Sequence, residues 1–350
     1  MRTEGTTARD RSVDVARALA MVAIVVGHVE RGLSAALLMP SDTAVTLDRV
    51  VYLVHLSTFA YLSGLFVRRS VVRDGPRLLM VRRTTLLVWL YLLWSLIQGF
   101  TRVAASSASN TAITVSDVFE LWVPEGQLWF LPWLIAVTGI AAVAQPWRSV
   151  LRGAVVLTVA AVLAVAVWGF EPLYVFTRGW ALLLPFLIGC VVTQSRHAAL
   201  ARHLPLVAGA AVVGTAVWLW IGLTTVATTP TTGGDVRTTA TVALGVVGCT
   251  AGTVAVLACA ALLSRSPAAG LLALVGRRSL EIFLAHIVVT AGTRVALVRL
   301  EVTDLWVHLL VGTVLGLVVP LAVASVAERL GWTWLFGLPR LHRDPRRIGE

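Results

Sequence analysis

The segment RSVDVARALAMVAIVVGHVERGLSAALL, Arg11–Leu38, decides the fold class. From residue 15 onward it is an apolar run long enough for the roughly 20 residues a helix needs to cross a hydrocarbon core of about 30 Å. It exceeds the apolar region of a secretory signal, about 7–15 residues, and no A-x-A-like cleavage site follows it. Four ionisable residues interrupt or flank it: Asp14, Arg17, His28 and Arg31. At about 100° per residue, Arg17 and His28 share one face, about 16 Å apart along the axis. Asp14 and Arg31 fall to either side of the same line. Charges inside a span are costly and turn towards the bundle interior or a wet cavity. The segment therefore predicts a membrane helix with an inward polar stripe.

The rest of the chain agrees. Of 350 residues, 57% are hydrophobic and only 13% charged, about half the share of roughly 25% found in soluble domains. That leaves too little polar surface to coat a soluble particle, and too much apolar sequence for a disordered chain. Cys190, Cys249 and Cys259 are few and odd in number and form no CxxC pair. A disulfide scaffold and a structural zinc site are both excluded on that ground. Ten spans are predicted, at about 15–38, 50–67, 84–101, 128–146, 153–170, 174–193, 204–224, 239–263, 279–297 and 305–326. The result is an all-α polytopic membrane protein. An N-terminal segment (1–14) precedes the ten-span bundle (15–326), and an Arg-rich tail (327–350) follows it.

The net charge of +11 comes from 29 basic residues, all arginine. Nucleic acid is not the inferred partner, because the arginines sort by side. Counted on alternate sides of ten spans, 22 fall on the side of both termini and 7 on the other. Basic residues collect on the cytoplasmic side, so both termini are expected there, beside anionic lipid. The arginines of residues 68–83 are expected in a cytoplasmic connection. The longest outer loop is expected at about 102–127.

Helical rise places His28 roughly 20 Å from the cytoplasmic edge, and His55 in the second span at similar depth. His286 in the ninth span is expected nearer the cytoplasm, about 10 Å in, with Glu281 on a different face. Ordinary roles are open to several of these residues. His55 and His308 could be interhelical hydrogen-bonding residues. Arg17 could snorkel to the headgroups, and Trp129 and Trp133 could be belt aromatics. A stripe of four ionisable residues is harder to explain that way, which singles out His28.

The motifs around these residues resemble the acyltransferase 3 family of membrane O-acyltransferases. Asp14, Arg17 and His28 match its opening signature. His55, Phe59, Ser63 and Gly64 match its second-span motif, with Ser57 where proline is usual. LWFLPWL (128–134), PFLIGCVV (185–192) and VGRRSLEIFLAH (275–286) resemble three further blocks, in order, with Glu281 at a usually neutral position. The chain is most similar to members without a fused soluble domain, the sugar O-acetylase-like group. Some relatives carry an Arg-x-x-Arg motif where this chain has Arg82-Arg83.

The resemblance implies transfer of an acyl group, commonly acetyl, from cytoplasmic acyl-CoA. The acceptor would be a hydroxyl of a cell-envelope glycan, a lipid-linked sugar or a secreted glycosylated metabolite, at a bacterial plasma membrane. His28 is the candidate general base, since an alcohol needs its proton taken as it attacks. Glu30, His55 and Glu281 are candidate orienting partners for it. Arg17, Asp14, His55, Ser63, Trp129, Glu281 and His286 are candidate substrate contacts. Arg11, Arg82 and Arg83 are candidate acyl-CoA contacts, because arginine binds phosphate bidentately. No metal and no tightly bound cofactor is expected. A transporter or flippase of a sugar- or lipid-like ligand is the alternative, since such folds also combine many spans with interior charge.

Overall fold

The computed structural model describes residues 11–105, 114–233, 235 and 237–339. Among them it holds twelve α-helices and no strand: α1 (Arg11–Ala35), α2 (Ser41–Tyr52), α3 (His55–Gly64), α4 (Val67–Ala104), α5 (Phe130–Ala144), α6 (Val150–Ala166), α7 (Leu183–Leu200), α8 (Leu204–Thr224), α9 (Thr239–Leu263), α10 (Ala269–Arg277), α11 (Ser279–Arg299) and α12 (Leu305–Arg329). Eight segments are long and apolar enough to cross a bilayer: α1, α4, α8, α9, α11, α12, and α5 and α7 with the 3-10 turns that lead into them. The multi-pass membrane character follows from these helices.

Two of the ten expected spans take other forms. The segment expected at 50–67 divides between α2 and α3, with Val54 off the helix at φ −121°. The segment expected at 153–170 is α6, with 17 residues. The break is not a Gly or Pro effect. Carbonyls at the break are instead satisfied by one distant and one local side chain. Trp218 Nε1 donates to Val50 O at 2.8 Å, and the Thr58 hydroxyl donates to Val54 O at 2.8 Å.

Two further expectations are corrected, and the segment that follows the bundle is partly described. Residues 68–83 are helical rather than a connection. Gly75 at φ 75° ends one helical piece, and Pro76 opens the next, where its missing N–H costs nothing. The sixth span starts at Trp180 rather than 174, because Gly179 at φ 86° turns the chain into the helix there. The segment after residue 326 is in part docked. Trp89 and Trp94 donate their indole N–H groups to Trp334 O (2.9 Å) and Leu335 O (2.8 Å). Residues 1–10 and 340–350, with Arg2, Arg9, Arg340, Arg343, Arg346 and Arg347, lie outside the described residues.

α1 is the hub, packing on α2, α3, α9, α10, α11 and α12. Two close crossings fix the bundle around it. A Cβ on Gly64 would lie 2.0 Å from Phe186 O, and one on Gly189 would lie 2.2 Å from Tyr61 O, so α3 and α7 meet backbone to backbone. A Cβ on Gly276 would lie 1.7 Å from Asp14 O, which seats α10 on the first turn of α1.

Candidate active site

Three histidines meet where α1, α3 and α11 converge. The His28 and His286 rings are 5.1 Å apart between centroids. His28 and His55 line one cavity of about 240 Å³, with Ile24, Arg31, Tyr52, Leu56, Gly126, Gln127, Trp129, Arg178 and Phe283. His55 Nδ1 faces Val51 O at 2.6 Å, and His286 Nδ1 faces Ile282 O at 2.8 Å. A carbonyl only accepts, so both Nδ1 atoms carry the proton. Each neutral ring then presents Nε2 as a lone pair. The Nε2 of His286 is buried with no hydrogen-bond partner among the described residues.

The cavity walls are ordered by charge and aromatic contacts. The Arg31 guanidinium lies 3.6 Å from the Tyr52 ring centroid and pairs with Asp48 at 2.6 Å. Arg178 sits over Trp129 at 5.1 Å and pairs with Glu171. Gln127 Nε2 donates to Phe283 O at 2.9 Å, tying the turn before α5 to α11. Beyond Trp129 and Arg178 lies a second space of about 340 Å³, lined by Val123, Pro124, Glu171, Pro172 and Leu173. The shared residues make it the mouth of the cavity at the loop end. An aromatic wall with fixed polar groups suits a polar ring such as a sugar.

The expected site residues divide into two sets. His28, His55 and Trp129 line the cavity, with His286 buried against His28. Arg17 and Asp14 lie three turns away on α1, 3.8 Å apart, with the Arg17 guanidinium over Phe66 at 5.0 Å. Arg83 lies on α4, half-buried. Arg82 turns instead to Asp74 at 3.5 Å, and Arg11 is exposed. Ser63 is half-buried, two turns along α3 from His55. Glu281 bonds Arg278 at 3.2 Å and does not line the cavity. Glu30 is buried on the other side of α1, against a separate cavity shared with Asp48.

The expected depth of His286 is corrected. Its position in the ninth span predicts a level nearer the cytoplasm than His28. Its ring lies 5.1 Å from that of His28, so the two side chains meet although His286 is only seven residues past the start of α11. Tyr52, Gln127, Arg178 and Phe283 were not singled out from sequence. Gln127 and Tyr52 stand just before motif segments, which was their only signal. The unusual Ser57 makes a 2.7 Å hydrogen bond to Thr253 of α9, which proline cannot form.

Comparison with known proteins gives one family. The family model described as "Acyltransferase domain" matches residues 10–325, nearly the whole chain. No curated protein and no solved structure matches the chain. The match spans α1 with its His28 stripe, the α3–α7 glycine crossing and the α11 histidine, and the chain belongs to this acyltransferase 3 family of membrane acyltransferases.

Proposed function

We propose that the protein transfers a short acyl group, acetyl first, from cytoplasmic acyl-CoA to a hydroxyl of a sugar presented on the opposite side of the bacterial plasma membrane. The sugar belongs to an envelope glycan, a lipid-linked precursor or a glycosylated metabolite. The observation that carries this reading is His28, lying between a polar, aromatic cavity and the His286 ring. His28 takes the proton of the acceptor hydroxyl as the oxygen attacks the thioester carbon. The 5.1 Å ring separation allows a His28 N–H to turn to the Nε2 lone pair of His286. That would fix the tautomer in which His28 is a base. His286 is thus the orienting partner, ahead of Glu30 and Glu281.

The donor's phosphates are assigned to Arg17 and Arg83, since a guanidinium can bind a phosphate bidentately. Arg11 and Arg82 stand nearby in sequence as outer contacts. A pantetheine arm spans the about 16 Å from Arg17 to His28 along one face of α1. The topology is ten crossings with both termini cytoplasmic, counting α2–α3 as one broken crossing and α6 as a short one.

The test is mass spectrometry of envelope glycans and lipids in a deletion strain, rescued with wild type or His28→Ala at matched protein level. One species should lose an acyl unit, regain it with wild type and stay unmodified with His28→Ala. Full rescue by His28→Ala removes His28 from the chemistry. Disappearance of a whole species favours a transporter, for which a helix broken beside a cavity is also a known device.

A further inference from the structure

Three arginines surround His28, and they are not alike. Arg31 and Arg178 hold carboxylates, Asp48 and Glu171. Arg294 of α11 lines a second, separate slot of about 130 Å³ beside His28, between α1, α11 and α12. It donates Nη1 to Gly32 O and pairs with no carboxylate among the described residues. A guanidinium has five N–H donors, and one helix-end carbonyl does not neutralise its charge. A cation in a membrane span without a counter-charge marks a ligand site. His308, also in the slot, gives its Nε2–H to Val302 O at 2.8 Å, which leaves Arg294 as the cation there. The remaining wall is mostly apolar, with Val29, Leu33, Ile287 and Gly312.

We propose that this slot takes the acyl group of the donor thioester, with the thioester carbonyl oxygen against Arg294. The inference rests on the acyl-transfer reading above. A slot of about 130 Å³ holds roughly four water-sized groups at about 30 Å³ each, which fits chains from acetyl to butyryl. Its direction also fits. Gly32 lies one turn beyond His28, about 6 Å further from Arg17. A donor running up from Arg17 meets His28 at its thioester and extends its acyl end past it.

The acceptor oxygen bonds to the thioester carbon, and its proton passes to His28. The carbonyl electrons move onto oxygen, where Arg294 holds the oxyanion. Collapse breaks the carbon–sulfur bond, and the CoA thiolate takes the proton back from His28. The products are the ester and free CoA.

Host membranes carrying the protein would be given radiolabelled acetyl-, propionyl-, butyryl- and hexanoyl-CoA, with transfer to the endogenous acceptor measured. Wild type should use the short chains and fail at hexanoyl. Ile287→Ala, which opens the slot, should raise the hexanoyl-to-acetyl ratio at least about 10-fold. Gly32→Ala, whose new methyl would lie 3.4 Å from Arg294 Nη1, should shift the ratio towards acetyl. Arg294→Gln should lower the maximal rate about 10²–10³-fold, the usual cost of one oxyanion donor, with little change in the apparent KM for acetyl-CoA. An unchanged chain-length ratio in both slot variants overturns the slot, as does an Arg294→Gln defect overcome by more donor. No labelling by wild type with any donor overturns the acyl-transfer reading itself, and the slot with it.

Discussion

Gly276 meets the backbone of Asp14, and Gly64 and Gly189 meet the backbones of α7 and α3. Their motifs therefore carry packing as well as chemistry. A backbone carbonyl cannot swing aside, so Gly276→Ala and Gly189→Ala should each destabilise by about 1–3 kcal/mol or more. Gly209→Ala, with nothing within 4 Å, should be neutral or stabilising by up to about 1 kcal/mol. Tryptophan-fluorescence melting in detergent separates the two classes. At the same scale, His286→Ala should reduce turnover about 10²-fold while leaving the KM for acyl-CoA in place, because it removes only the group that orients His28. A fall in donor affinity instead would make His286 a binding residue. His28 was legible from its stripe on one helix. His286 as its neighbour was not, because that contact depends on where a distant helix begins.

The break between α2 and α3 places His55 and Tyr52 at the cavity, and the distant Trp218 occupies a carbonyl that the break frees. Trp218→Phe keeps the ring and removes the donor to Val50 O. A buried acceptor left without a partner costs about 1–3 kcal/mol, so a melting shift of that size is expected, together with weakened acceptor use. Arg49 makes a parallel link, donating Nε to Gly222 O at 2.8 Å, so α8 supports α2 at two points. The segment before α5 works in a similar way. Tyr91 donates to Leu121 O at 2.7 Å, and Val118 packs against Gly99, which folds residues 117–126 onto α4 beside the cavity mouth. None of these links follows a sequence period. Span-finding from hydropathy therefore located the apolar segment at 50–67 and missed that it divides between two helices.

For the whole molecule, the arginine count makes a topological prediction. Ser41 and Ser149 are both exposed, in connections that the ten-crossing arrangement puts on opposite sides. A membrane-impermeant maleimide should label Ser41→Cys on intact cells and Ser149→Cys only after permeabilisation. Labelling of both from outside would mean an even number of crossings between them. The sequence by itself determined the membrane class, most helix positions, the inward stripe of α1 and the family, because each is written in composition or in local spacing along one helix. Tertiary structure alone decided which residues meet. The His28–His286 pair, the Gln127 and Trp129 wall, and the contrast between Arg31 and Arg178, which hold carboxylates, and Arg294, which holds none among the described residues, all depend on how the helices are offset and how closely the glycine crossings seat them. Those offsets are set by packing between segments far apart in the chain, which no single-helix periodicity records.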